Sequence, residues 1–272
     1  MNGAPHADVE IRLRSVTKVF GGSDSGAVFA LDGIDLDVAK REFVCLLGPS
    51  GCGKSTLLNA VAGFVLPTSG EVTAAGRRVT RPGPERGMVF QEYALFPWMT
   101  VRANIAFGLE MRKEGKAQIT QKVQTLLAKF QLAEFADRFP KDLSGGMRQR
   151  VAIARLLALD SPILLMDEPF GALDALTRRN LQDELLRIWS EMEKTILFVT
   201  HSIEESIYLA DRIVVMTYRP GRVKAIVPVP LERPRDVSSP AFNELKRELS
   251  GMVMEEQLRS EEDRRTMPAA WV

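Results

Sequence analysis

The chain has 272 residues, 45% hydrophobic and 26% charged, and its 36 Lys and Arg balance 35 Asp and Glu to a formal net charge of +1. That is globular composition; it lacks the basic excess of a dedicated nucleic-acid binder and any apolar run of 18 or more residues that would cross a membrane. Two cysteines, Cys45 and Cys52, and two histidines make neither a disulfide framework nor a zinc site.

Met1 to Arg14 lacks the apolar centre of a secretory signal, so a cytosolic protein is expected. Val9 to Val16 alternates apolar Val9, Ile11 and Leu13 with Glu10, Arg12 and Arg14, as a half-buried strand does. Gly21 to Gly26 is a turn-rich break, and Ile34 to Val38 alternates again. Phe43 to Leu47 is continuously apolar, which predicts a strand covered on both faces. It ends in a glycine-rich turn, and Lys54 to Ala62 reads as a helix.

From Glu92 to Ala158 no strong strand pattern occurs. Lys116 to Phe130 spaces Ile119, Val123, Leu126, Leu127 and Phe130 as a helix does, and Met147 to Leu159 is a second such stretch. Three short apolar runs then alternate with helices: Ile163 to Met166, Ile196 to Val199 and Ile213 to Met216. That order predicts a parallel sheet flanked by helices. An amphipathic helix is expected near Ala241 to Leu258, with a mobile tail from Ser260. No internal repeat is visible.

Gly48-Pro49-Ser50-Gly51-Cys52-Gly53-Lys54-Ser55-Thr56 fits G-x-x-x-x-G-K-[ST] between a buried strand and a helix. The glycines let successive backbone N–H groups turn inward as an anion nest, and the helix aims its positive end at the same place. Lys54 then reaches the β/γ oxygens of a nucleotide, and the Ser55 hydroxyl can ligate Mg²⁺. Cys52 has two readings: a thiol acidified by the helix end, whose alkylation would block nucleotide, or a small side chain without a chemical role.

Ile163-Leu164-Leu165-Met166-Asp167-Glu168 carries two acids on the end of an apolar strand, where ligands bind in parallel α/β sheets. A carboxylate there needs a compensating cation or proton. Asp167 is placed to hold Mg²⁺, and Glu168, on the opposite pleat, to polarise an attacking water. His201 follows the apolar Leu197-Phe198-Val199-Thr200. It is either a surface residue or a γ-phosphate sensor that orients Glu168.

Beside these motifs, Leu143-Ser144-Gly145-Gly146-Met147-Arg148-Gln149-Arg150 resembles the signature motif of the ATP-binding cassette (ABC) ATPases, with Ser144 lying 23 residues before Asp167. Gln91 sits where that family has its Q-loop glutamine, Gly171-Ala172-Leu173-Asp174 resembles the D-loop, and His201 the H-loop histidine. Phe20 falls where an aromatic residue stacks on adenine. Phe96-Pro97-Trp98, Met147 and Arg219-Pro220-Gly221-Arg222 are similar to the ATPases of bacterial nitrate, sulfonate and taurine importers. Three residues depart from the family pattern. Met147 replaces glutamine, Phe20 replaces tyrosine, and Arg41 stands where the turn before Glu42 has glycine, so a strained turn is expected there.

The resemblance implies an α/β P-loop NTPase fold with a mixed or parallel sheet core, an N-terminal antiparallel β subdomain and a helical signature subdomain. It implies an ATPase domain over residues 1–232, with a core of 1–91 and 159–232 and a helical subdomain of 92–158, followed by an extension over 233–272. ATP and Mg²⁺ are the implied cofactors. Glu168, His201, Gln91 and Lys54 would be catalytic, and Ser55, Gln91 and Asp167 would hold the metal. Phe20, the loop from Gly48 to Thr56 and, from a second copy, Ser144, Gly145 and Gly146 would bind nucleotide. A head-to-tail homodimer would drive membrane permease subunits docked near Gln91 to Met99, with Trp98 and Leu95 foremost, on behalf of a solute-binding protein. The chain would then be peripheral on the cytoplasmic face of the inner membrane. The alternatives are a soluble ABC ATPase without a transport role, or the ATPase of a polyamine- or iron-type importer. The charges Glu255, Glu256, Arg259, Glu261, Glu262, Asp263, Arg264 and Arg265 read as a solvated surface.

Overall fold

The structure, a computed structural model, describes residues 8–21, 26–171 and 173–266. The chain divides into two compact units, Met1–Pro82 with Thr195–Val272, and Gly83–Lys194. His6, the middle of the Gly21 to Gly26 break, Ala172 and the side chains of Arg264 and Arg265 lie outside the described residues.

In the first unit, β1 (Val9–Phe20) pairs antiparallel with β2 (Val28–Ala39), and on its other side with β4 (Ser69–Ala74), which carries the two-residue β5 (Arg77–Arg78). The alternation at the start of β1 sorts its side chains: Ile11 and Leu13 are fully buried while Arg12 and Arg14 face out to Asp37. The outward guanidiniums hold the Asp37 carboxyl below the usual range, through hydrogen bonding to Arg14 above all. Register shifts interrupt the ladder after Leu13, where the longer alternation fades.

The second sheet of this unit centres on β3 (Phe43–Leu47), all five residues of which are buried, as the unbroken apolar run demands. It runs parallel to β8 (Thr195–Thr200) on one side and to β9 (Arg212–Met216) on the other. β10 (Val223–Pro228) adds antiparallel to β9, so the ladder is mixed. Two of the parallel strands end at loops of chemical interest. The glycine-rich turn and α1 (Lys54–Ala62) follow β3, and His201 and α6 (Ile203–Leu209) follow β8. The turn before β3 is strained as expected, with Arg41 at φ 64°.

α7 (Pro240–Thr266) closes the unit and corrects two expectations. It continues past Leu258 to Thr266, so residues 260–266 are helical where a mobile tail was expected, and the rest of that tail, 267–272, lies outside the described residues. Its charges are not simply a solvated face either. Glu256 is fully buried because Lys224 Nζ and the Tyr218 N–H both reach its carboxylate, a case of burial permitted by pairing.

The second unit holds β6 (Arg86–Val89), parallel to β7 (Ile163–Asp167), and the helices α2 (Val101–Met111), α3 (Lys116–Lys129), α4 (Gly145–Ala158) and α5 (Ala175–Met192). The helical spacing of Val123, Leu126, Leu127 and Phe130 becomes the buried face of α3 and its end. Among the described residues, no helix is long and apolar enough to cross a membrane.

Candidate nucleotide site

Leu47 delivers the chain into a turn whose shape is set by φ 81° at Gly51 and 93° at Gly53. Gly53 caps the N-terminus of α1 and, having no side chain, makes no cap bond to the first amides of that helix. Those amides are the groups an anion would take up. A Cβ at Gly53 would stand 2.6 Å from the Ala30 carbonyl oxygen and 2.9 Å from Leu31 Cδ2, so the position demands glycine twice over, by conformation and by space. Lys54 is buried, and its ammonium donates to the Gly48 and Pro49 carbonyls at 2.8 and 2.9 Å. The loop therefore folds around its own lysine, which holds a cation at the mouth of the nest. Ser55 is exposed on the first turn of α1, with Thr56 half-buried beside it. Phe20 ends β1 with 43% exposure and carries Lys18 Nζ 5.0 Å from its ring centre.

His201 lies exposed just before Ser202, which caps α6 with its hydroxyl. It shares a cavity of about 320 Å³ with Gly48, Pro49 and Ser50 of the glycine-rich turn and with Val253, Gln257, Ser260 and Glu261 of α7. The histidine and the turn are thus brought together on one face of the first unit.

Cys52 overturns one of its two readings. Its side chain is fully buried, and desolvation pushes the thiol pKa up, with Lys54 offsetting only part of the rise. Burial outweighs the helix-end field, so the thiol is not acidified. Iodoacetamide at pH 8 should alkylate Cys52 in the folded protein at least about tenfold more slowly than in the denatured chain. Equal rates would show the thiol to be accessible and reactive after all.

In the second unit, β7 is buried throughout and ends on Asp167, which is 8% exposed. Glu168 comes next with φ 43°, a left-handed conformation unusual for a non-glycine residue, in front of a proline that favours extended backbone. Its carbonyl accepts the Gly171 N–H at 3.2 Å, and Arg178 of α5 grips the Phe170 and Leu173 carbonyls at 3.2 and 2.7 Å. The acid is held in a conformation that costs on the order of 1–3 kcal/mol and is fixed by its surroundings, as at many reactive positions. Asp174 caps α5 by accepting the Thr177 N–H, and that bond lowers its pKa.

Ser144 caps α4 and accepts the Met147 N–H at 3.3 Å, which leaves Gly145 and Gly146 in the first helical turn. This is a second helix N-terminus with an anion-binding character.

Gln91 is exposed on the turn after β6. Beyond it, Tyr93 and Ala94 have φ 59° and 45°. Arg155 secures this bend by donating to the Tyr93 carbonyl at 3.4 Å and lying 5.2 Å from the Phe96 ring centre. Sequence reasoning misses the residue that organises the stretch from Phe96 to Thr100. Asn104, fully buried on α2, accepts the Phe96 N–H at 2.9 Å and donates to the Phe96, Met99 and Thr100 carbonyls at 3.0–3.2 Å. A lone amide inside the apolar run of Val101, Ile105, Ala106 and Leu109 is the signal that could have found it. Phe96 packs against Phe107 with ring centres 4.5 Å apart, and Trp98 is left 71% exposed on this pinned loop.

Known proteins are similar to this chain in sequence and in fold. The family model described as ABC transporter matches residues 31–171. The chain is 49% identical over 252 residues to an uncharacterised ABC transporter ATP-binding protein of Methanocaldococcus jannaschii, covering 93% of this chain and 94% of that one. It is 44% identical to the taurine import ATP-binding protein TauB of Jannaschia sp., over 91% of this chain and 96% of that protein. It is 43% identical to the aliphatic sulfonates import ATP-binding protein SsuB of Bacillus cereus, over 88% and 94%. Among solved structures, a dimeric ATP-binding cassette in a post-hydrolysis state bound to ADP and Pi superposes with a TM-score of 0.72 at 32% identity, covering 80% of this chain and 98% of that one. The fold is that of the ABC ATPase cassettes. The chain belongs to the ABC transporter family, as one of its ATP-binding, ATP-hydrolysing members.

Proposed function

We propose that the chain is the ATPase subunit of a bacterial importer of the nitrate, sulfonate or taurine type, working as a head-to-tail homodimer on the cytoplasmic face of the membrane. The relatives named for taurine and aliphatic sulfonate import support this reading, and a soluble role without transport is not favoured by them. The observation that carries the coupling half of it is Trp98, exposed on a loop that Asn104 and Arg155 hold rigid. A large aromatic side chain set out on a hydrogen-bonded loop, its ring 5.7 Å from that of Phe96, suits the centre of a protein interface. The partner is a permease segment seated against Gln91 to Met99, with Leu95 and Trp98 as its anchors. A solute-binding protein would act on the far side of the membrane through that permease.

In this reading Phe20 stacks on the adenine, and the amides of Gly48 to Thr56 with Lys54 bind the β and γ phosphates. Ser144, Gly145 and Gly146 of a second copy present their helix N-terminus to the γ-phosphate. Ser55, Gln91 and Asp167 offer only hard oxygen donors, which fits Mg²⁺ and not a softer ion. Mg²⁺ supplies charge neutralisation on the phosphate oxygens when bound. Glu168 takes the proton from the attacking water, and His201 donates to the γ-phosphate, so charge that develops there meets a fixed donor. Closing the dimer requires a nucleotide that binds the closed state more tightly than the open one.

The test is growth of a strain lacking this gene on nitrate, taurine or an alkanesulfonate as sole nitrogen or sulfur source. The wild-type gene should restore growth on one of them. Trp98→Ala should not, with uptake below about a tenth of normal, since loss of a central aromatic anchor costs roughly 2 kcal/mol or more. ATP binding by that variant should be unchanged. Normal uptake in Trp98→Ala would remove the docking role, and normal growth of the deletion strain on all three sources would remove the substrate class.

A further inference from the structure

α7 lies beyond the residues matched by the family model, yet it grips the loop on which the phosphate turn rests. That loop joins β9 to β10. Gly221 sits near its end, donating its N–H to the Ala30 carbonyl at 3.1 Å and accepting the Asp32 N–H at 3.0 Å. A Cβ on Gly221 would come within 2.3 Å of the Cys52 carbonyl and 2.8 Å of the Ala30 carbonyl. Only bare backbone fits there, so the loop, Ala30 and the phosphate turn are in direct contact. Arg222 pairs with Asp32, and Thr217 closes the loop on itself through Pro220 and Arg222.

The loop's first half is held by α7. Glu256 accepts the Tyr218 N–H at 2.9 Å with one carboxylate oxygen and Lys224 Nζ at 2.7 Å with the other. Arg259 adds a contact at 3.2 Å. Two turns later on α7, Asp263 accepts the Tyr218 hydroxyl at 3.1 Å. Tyr218 is therefore held at its backbone and at its ring tip by the same helix, and Arg219 beside it stands against Gly51. The far end of α7 also walls the cavity that Gly48, Pro49, Ser50 and His201 share.

We propose that Glu256 is a positioning residue for nucleotide binding: it fixes the Tyr218–Arg222 loop, and through Gly221 the curl of the phosphate turn. This rests on the reading of Gly48 to Thr56 as the phosphate loop. A full carboxylate is suited to the task because it can serve a backbone N–H and an ammonium at once, and both bonds are charge-assisted. Losing it leaves the Tyr218 N–H without its buried acceptor, while Lys224 keeps Glu255 and the Met252 carbonyl, and frees the loop to relax away from Cys52.

The experiment is MgATP titration by calorimetry on the purified full chain, alongside steady-state hydrolysis. Glu256→Leu should weaken ATP binding and raise KM by about tenfold, with kcat at saturating ATP within about twofold of wild type. Glu256→Gln keeps an acceptor for the Tyr218 N–H and should recover affinity to within about threefold of wild type. If Glu256→Leu lowers thermal stability while its affinity and KM stay at wild-type values, the residue is merely structural and the proposal is overturned. A fall in kcat with KM unchanged overturns it equally. Should Glu256→Leu fail to fold, Glu256→Gln combined with Tyr218→Phe removes the charge and the second grip; unchanged KM in that pair overturns the proposal. Lys54→Ala separates the two readings. If it binds ATP normally, the phosphate-loop reading has failed; if it does not bind while the Glu256 variants behave as wild type, only the positioning role has.

Discussion

Replacing Glu168 by Gln should stop ATP turnover while leaving ATP bound. The side chain keeps its shape and loses its capacity to take a proton. Withdrawing a positioned base costs about 10²–10⁴-fold in rate, so kcat should fall at least about a hundredfold. Glu168 already occupies a left-handed backbone conformation, pinned by the Gly171 N–H and by the grip of Arg178 on the Phe170 and Leu173 carbonyls. Glutamine accepts the same conformation at similar cost, so the variant should fold normally and its binding curve for MgATP should overlay that of wild type. A single-turnover assay reads the chemical step directly. Hydrolysis within about tenfold of normal would mean that the water is activated elsewhere.

Gly53→Ala should be nearly as severe, for a different reason. The residue sits at φ 93°, and its new methyl group would meet the Ala30 carbonyl oxygen at 2.6 Å and Leu31 Cδ2 at 2.9 Å. The Gly221 N–H holds that carbonyl at 3.1 Å and resists its displacement. The backbone strain alone is on the order of 1–3 kcal/mol, and the clash adds to it. The turn must open, which displaces the first amides of α1 and the Lys54 ammonium from their common focus. ATP affinity should drop at least about thirtyfold, the equivalent of roughly 2 kcal/mol. Calorimetry checks this, and affinity within about twofold of wild type would show that the curl at Gly53 does not matter to the ligand.

These two positions are legible in the sequence because local pattern determines them. A glycine-rich turn between an apolar run and a helix can be read from a few consecutive residues, and so can two acids at a strand's end. The same holds for β3, β7 and the buried face of α3. By contrast β4, β5 and β6 leave no usable trace. Ser69–Ala74 alternates only over its last four residues, with Val72 and Ala74 buried, too short a run to read as a strand, and β5 is two arginines; their pairing is decided by β1 and by each other.

Buried polar side chains are the harder case. Glu256 looks like one more charge in an acidic helix, since its reason for burial, Tyr218 and Lys224, lies more than 30 residues away in the chain. Asn104 is similar: its partners are nearby, but only the bend at Phe96 to Thr100 shows what an amide is needed for. Cys52 misleads in the opposite direction. The local field that would acidify it is real, and Lys54 does lie beside it, yet complete burial is a property of the packed loop and outweighs it. The Arg219-Pro220-Gly221-Arg222 segment is visible in the sequence as a resemblance, and only its contact with Cys52 and Ala30 explains why a glycine stands there.

The mechanism requires ATP to be bound across two copies of this chain, the phosphate turn of one facing the Ser144 helix of the other. Light scattering of purified Glu168→Gln, with and without MgATP, is the decisive experiment. A mass near the 30.2 kDa monomer is expected without nucleotide and twice that with MgATP, and Ser144→Arg should abolish the shift by placing a bulky cation at the seam. A Glu168→Gln protein that binds MgATP and stays monomeric at every concentration would refute the shared site.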